Sequence, residues 1–201
     1  MNNKDIVITV REFVINNSSS NDIHGFPHVN RVYNLCLTIG RNLDVNLRVL
    51  KIAALLHDIG REREKENLPN SNHANISAQM ALQFLSNNDL GLSEKEIHNI
   101  IHCIKTHSFS LNLEPITLEA KVLSDADKLD AIGAIGLYRT IGYTISRGGE
   151  IEDVIEHLET KILKIYAMLN LDISRKMAET RHKVIMDFYT AIKNEIKEVS
   201  N

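Results

Sequence analysis

Apolar residues recur at helical spacing over almost the whole chain, and the breaks between them are short and polar. A first helix is predicted over 4–16, ending in the polar run Asn16 to Asn21. A second covers 27–41, with Pro27 suited to its first turn and a stripe of His28, Val32, Leu35 and Ile39 along one face. The third, 45–60 with Asp44 as its cap, contains Ile52-Ala53-Ala54-Leu55-Leu56. It is apolar all round, so it belongs at the centre of a core. The run Arg61-Glu62-Arg63-Glu64-Lys65-Glu66 reads as a solvated segment, apart from Arg61, and Pro69, Asn70, Ser71 and Asn72 mark a loop. Helices follow over 73–88 and, opened by the capping box Ser93 to Glu96, to about 107. After a loop from Ser108 to Pro115 come a helix over 117–138, a loop over 140–149 and two amphipathic helices over 150–169 and 173–199. With Gly142, Gly148 and Gly149 in it, 140–149 is expected to be exposed and able to act as a lid. The expected fold is all-α, a single domain spanning 1–201.

Composition supports long helices. Only 9 Gly and 3 Pro occur in 201 residues, too few breakers for a loop-rich β fold. A hydrophobic share of 43% is ordinary for a globular chain and excludes disorder. A net charge of −3 and the absence of Trp give no footprint for a nucleic-acid polymer. No apolar run is long enough to span a membrane, and no signal-peptide core follows the N-terminus, so a soluble cytoplasmic protein is expected. Cys36 and Cys103 form no CxxC pair and are expected to be buried free thiols. The oligomeric state is open between a monomer and a homodimer.

The histidines change the picture. There are 9 of them, and His57-Asp58 follows the most apolar helix. A buried carboxylate needs a cation, a strong hydrogen-bond set or a metal, because burying it alone costs several kcal/mol. His28 lies on an apolar stripe. Far downstream, Asp125, Asp127 and Asp130 sit inside the apolar run from Val122 to Ile135. Two imidazoles with two carboxylates suit a divalent metal on nitrogen and oxygen ligands with positions left open. Arg61, three residues past Asp58, can reach phosphate oxygens near such a metal. His107 borders the apolar face of Ile97, Ile100, Ile101 and Ile104, and His73 opens a helix, whereas His98 and His102 point away and read as surface residues. Arg31, one turn past His28, is a candidate to orient a carboxylate ligand, and Lys128 follows Asp127.

The stretches 24–32, 53–60, 72–78, 104–110 and 123–136, in that order, resemble the HD-domain superfamily of metal-dependent phosphohydrolases, and in particular its small bacterial and archaeal members. The resemblance implies an all-α fold and one divalent metal held by His28, His57, Asp58 and Asp127, with Mn, Fe, Ni, Co, Zn or Mg as its identity. Asp125 and Asp130 are the fallback for the last ligand, and Gly25 departs from the Asp expected there. Some relatives of this kind are nucleotide pyrophosphohydrolases. The expected activity is therefore hydrolysis of a nucleoside triphosphate to monophosphate and pyrophosphate. Asp58, Arg61, His73 and His107 are its catalytic candidates, and Arg61, His73, His107 and Lys128 its substrate contacts. The alternatives are a nucleotide monophosphatase, a cyclic-nucleotide phosphodiesterase or a non-catalytic ligand sensor.

Overall fold

The chain's most apolar stretch occupies the middle of its first packed unit. In the computed structural model, which describes residues 3–66, 72–108, 111 and 113–199, that stretch forms α3 (Leu47–Leu56). It is preceded by α1 (Asn3–Asn17) and α2 (Phe26–Gly40) and followed by α4 (Arg61–Glu66), α5 (His73–Asn87), α6 (Glu94–Thr106) and α7 (Leu118–Asp130). There is no strand among the described residues, and the fold is all-α. Helix α3 packs against α1, α2, α5 and α6. Its residues Leu50, Ile52, Ala53, Ala54, Leu55 and Leu56 are completely buried, so the apolar stretch that ends the helix is enclosed by its neighbours. Burial at this level makes each large-to-alanine change cost about 2–5 kcal/mol.

The ends of these helices follow local chemistry. The Ser93 side chain accepts from the Glu96 amide at 3.3 Å while the Glu96 carboxylate accepts from the Ser93 amide at 2.9 Å, the expected capping box of α6. Helix α3 is capped by Asn46 rather than Asp44: the Asn46 side chain accepts from the amides of Arg48 and Val49 at 3.0 and 3.2 Å. The helix also stops at Leu56, short of the expected residue 60, so His57 and Asp58 stand in the turn that ends it. On α2 the buried stripe runs through Val29, Val32, Cys36 and Ile39, with Leu35 at its edge. Cys36 and Cys103 are free and buried, and burial pushes the Cys103 thiol up to about 12.

The chain divides into two compact units, 1–127 and 128–201. The second contains α8 (Gly133–Ser146), α9 (Ile151–Thr160), a 3₁₀ segment (Ile162–Met168) and α10 (Asp172–Val199). Helix α10 packs on α8 and on the 3₁₀ segment, and α9 on both. Here three expectations are corrected. The helix expected over 117–138 is two helices, because Ile132 is extended and Gly133 takes φ +78°, a left-handed conformation that costs glycine nothing. The lid expected over 140–149 is mostly α8, which continues to Ser146 with Thr140 and Thr144 buried. The remaining turn is tied back, the Gly148 amide donating to the Ile145 carbonyl and the Gly149 amide to the Thr144 carbonyl, both at 3.0 Å. The helix expected over 150–169 breaks at Lys161 (φ −130°, ψ −59°) and finishes as the 3₁₀ segment. Of the expected loops, Pro69, Asn70 and Ser71, and with them Phe109 and Ser110, lie outside the described residues. No helix among the described residues is long and apolar enough to cross a membrane.

Candidate metal centre

The turn after α3 carries the doublet, and its path is set by close packing. The Gly60 amide donates to Ser77 Oγ on α5 at 2.9 Å, and a Cβ at residue 60 would lie 2.6 Å from the Ser77 amide nitrogen. Only glycine lets the turn dock this closely. His57 and Asp58 thereby face α5 and α6 instead of solvent, with 0% and 4% exposure.

Four imidazoles surround Asp58. The His28 and His57 rings lie edge to face at 5.3 Å, His57 and His107 at 4.9 Å, and His107 and His73 at 5.4 Å. All four residues are buried. The ring nitrogens turned inward are in each case Nε2. Those of His28 and His57 are 3.4 Å apart and lie 3.5 and 3.8 Å from Asp58 Oδ2. Those of His73 and His107 lie 3.6 and 3.5 Å from Asp58 Oδ1. Asp58 thus stands between two groups, one oxygen toward each: His28, His57 and Asp58, and Asp58, His73 and His107, either of which has ligand atoms close enough together to hold a metal ion.

The outer ring nitrogens explain why Nε2 is presented. His57 Nδ1 lies 2.8 Å from the Ala54 carbonyl, and His107 Nδ1 lies 2.6 Å from the Ile104 carbonyl. A carbonyl can only accept, so both rings carry their proton on Nδ1 and leave an Nε2 lone pair facing inward. Burial keeps His57 and His73 uncharged: it pulls His57 down to about 4 and His73 to about 3, against the raising effect of Asp58 in each case. For Asp58 itself burial works upward, but the Arg61 guanidinium and then the neighbouring imidazoles outweigh it and hold the carboxyl well below its ordinary value. An ionised carboxylate and neutral imidazoles are the protonation states a divalent cation requires.

Three buried atoms here, Asp58 Oδ1, His73 Nε2 and His107 Nε2, have no hydrogen-bond partner. Asp58 Oδ1 and His107 Nε2, 3.5 Å apart, are both acceptors, an arrangement that is unfavourable by itself and that a cation resolves. The donor set therefore fits a divalent metal.

Of the acids in α7, Asp127 is the one at this cluster, its Oδ1 3.4 Å from His28 Nε2 and its side chain 24% exposed. His28 and the other imidazoles hold Asp127 well below its ordinary value, against the upward effect of burial. Asp130 is paired with Arg139 and Asp125 is fully buried. Lys128, the next residue of α7, is half-buried. Arg61 donates from Nε to Asp58 Oδ2 at 2.9 Å, so part of its guanidinium is committed to the cluster and the side chain is 25% exposed. Arg31 donates to the Asp22 carbonyl at 3.1 Å and lies 3.8 Å from the Asp22 carboxylate, an acid outside the cluster. His24 meets the His28 ring at 6.4 Å, and Gly25 donates its amide to the Asn21 carbonyl at the entry to α2. His98 is exposed, and His102 Nε2 accepts from the Ile116 amide at 3.1 Å, tying down the segment before α7.

One residue of this neighbourhood was hidden in the sequence. Glu64 belongs to the charge run read as solvated, yet its Oε1 accepts from the His73 amide at 2.9 Å. The signal was its spacing: Asp58, Arg61 and Glu64 recur every third residue, as neighbours on one helix face do.

Comparison with known proteins supports the same picture. A model of the HD domain family matches residues 25–132, more than half of the chain. YpgQ of Bacillus subtilis is 31% identical over 196 residues, which is 93% of this chain and 90% of YpgQ. The crystal structure of YpgQ in complex with ADP superposes with a TM-score of 0.74 at 25% identity, covering 97% of both chains. A predicted HD superfamily hydrolase from an uncultured Thermotogales bacterium superposes with a TM-score of 0.65 at 26% identity, covering 96% of this chain and 91% of that one.

Proposed function

The chain belongs to the HD domain family and is a metal-dependent phosphohydrolase; we propose that its substrate is a nucleotide and that the bond cleaved is a phosphoanhydride, a nucleoside triphosphate giving monophosphate and pyrophosphate. The observation that carries this reading is the convergence of Asp58 Oδ1, His73 Nε2 and His107 Nε2, buried and without partners. The ADP bound by YpgQ supports a nucleotide as the ligand class.

In this reading His28, His57, Asp58 and Asp127 hold one divalent cation, and Asp58, His73 and His107 hold a second, with Asp58 shared. A divalent cation there supplies Lewis acidity to a phosphoryl oxygen and to the attacking water. Imidazole-rich seats of this kind favour Mn, Fe, Co, Ni or Zn over Mg. Arg61 keeps Asp58 ionised and oriented, and its exposed part is placed to meet phosphate oxygens, with Lys128 as a second positive charge. In this reading His73, held uncharged by burial, contributes a lone pair to the centre. Asp127 is the more exposed of the two carboxylates, 24% against 1% for Asp58.

The test is turnover of a panel of nucleoside mono-, di- and triphosphates and cyclic nucleotides with each of Mn, Fe, Co, Ni, Zn and Mg, reading pyrophosphate and orthophosphate separately. Pyrophosphate from triphosphates is the expected result. Orthophosphate alone, or turnover of monophosphates alone, would make the protein a phosphatase. Cleavage of cyclic nucleotides alone would make it a phosphodiesterase, and metal binding without any turnover a ligand sensor.

A further inference from the structure

The Nδ1 proton of His73 needs a different holder from those of its neighbours. His57 and His107 each close a helix, so the carbonyl three residues upstream is available to Nδ1. His73 opens α5, where no helical carbonyl lies upstream. What faces it instead is Glu64. Its Oε1 accepts from the His73 amide at 2.9 Å and lies 3.4 Å from His73 Nδ1, while Oε2 lies 3.7 Å from Arg61 Nη1. The first amides of a helix lack partners within it, and any acceptor can serve them. In α5 the Asn72 side chain already accepts from the Ala74 amide at 2.9 Å. A carboxylate adds something a cap does not need, an anionic acceptor beside the imidazole.

The contacts close a ring around Asp58. Asp58 Oδ2 meets Arg61, Arg61 meets Glu64, Glu64 meets His73, and His73 Nε2 returns to Asp58 Oδ1 at 3.6 Å. Helix α4 therefore sets both oxygens of Asp58, one directly and one through His73.

We propose that Glu64 is a positioning residue that fixes His73 with its proton on Nδ1 and its Nε2 aimed at Asp58 Oδ1, completing the Asp58, His73 and His107 group as a cation seat. Glu64 touches no reacting atom. The proposal rests on the reading of that group as a second metal seat, and two separate measurements tell the two apart.

The first measurement is made on the full, metal-free chain. Long-range proton–nitrogen NMR of the histidine rings reports which nitrogen of His73 carries the proton, the signal being assigned with His73→Gln. In the wild type His73, like His57 and His107, is expected to show a single form protonated on Nδ1. In Glu64→Ala only His73 should change, to a mixture of both forms, and Glu64→Gln, which keeps an acceptor oxygen, should restore the single form. A wild-type His73 protonated on Nε2, or an unchanged His73 in Glu64→Ala, would overturn the proposal. The second measurement counts Mn²⁺ per chain by titration. Two ions are expected, the weaker one bound roughly 10–100-fold less tightly in Glu64→Ala, the range seen when an outer partner of a ligating imidazole is removed. A single Mn²⁺ per wild-type chain would remove the second seat, and the NMR result would still decide the role of Glu64. If Glu64→Ala fails to fold, Glu64→Met, which fills the space without an acceptor oxygen, takes its place: a mixed His73 with weakened binding of the second ion supports the proposal, and an unchanged His73 overturns it.

Discussion

Asp58 in the first unit and Asp130 in the second are both buried carboxylates facing a guanidinium at 2.9 Å, and they end differently. Arg139 gives Asp130 two donations, one to Oδ2 and one to its own carbonyl at 3.2 Å, and both partners are nearly sealed from water. Arg61 reaches only Oδ2 of Asp58, and Oδ1 is left to two imidazole nitrogens that are as short of partners as it is. A matched ion pair holds structure and has nothing left to bind with. A carboxylate supplied with one cation too few keeps an oxygen for another, and that difference separates a structural site from a reactive one.

Substitution is the strongest way to sharpen the contrast. Asp58→Asn should lower phosphohydrolase turnover by well over ~100-fold, beyond the loss usual for a residue that merely supports a ligand. Metal content should fall with it, while the metal-free protein keeps a cooperative thermal transition, the side-chain amide oxygen still accepting from Arg61. Asp130→Ala should do the reverse. It leaves Arg139 buried and unpaired, so urea unfolding should show a loss of about 3–5 kcal/mol, with metal bound per folded chain unchanged. Asp130→Ala that also empties the metal centre would erase the distinction between the two sites.

Chelation gives a middle-sized effect. Removing the metal should lower stability, and restoring it at about 100 times its dissociation constant should return about 2.7 kcal/mol, read as a shift in the thermal midpoint. Asp58→Asn should abolish that shift and Asp130→Asn should not.

The most gradual effect is on pH. His57 and His73 fall to about 4 and about 3 in the folded chain, against an ordinary value near 6.5 in the unfolded one. The unfolded state therefore binds more protons between those values, so stability is complete above about 6.5 and is lost as pH falls toward 4. Urea midpoints of the metal-free protein should drop over that interval by up to about 1.4 kcal/mol per pH unit for each ring. His57→Gln should flatten the slope, and an unchanged slope would mean that the ring is not held neutral by burial.

Most of the fold was legible because helices announce themselves locally. The spacing of Val32 and Ile39, the all-round apolarity of Ile52 to Leu56 and the Ser93–Glu96 box each act within a few residues, and the structure keeps all three. The misreadings share one cause. Gly142 looked like a break, but the Thr140 and Thr144 side chains beside it are buried and α8 runs on to Ser146. Around Gly133, conversely, an apolar run concealed a turn. In both cases packing between elements outweighed local preference.

The candidate site divides in the same way. The sequence marked His28, the doublet and the three acids of 125–130 as chemistry-bearing, since a carboxylate or imidazole buried among apolar residues must find a partner that offsets its lost hydration, while the choice of Asp127 among those acids rested on the resemblance. Which atoms meet was decided by tertiary structure alone. The close docking of Gly60 on Ser77 turns Asp58 inward, two helix-end carbonyls set the protons of His57 and His107, and Glu64 is drawn out of a solvated-looking charge run to His73. These are directional contacts between residues distant in the chain, and spacing along one helix carries no information about them.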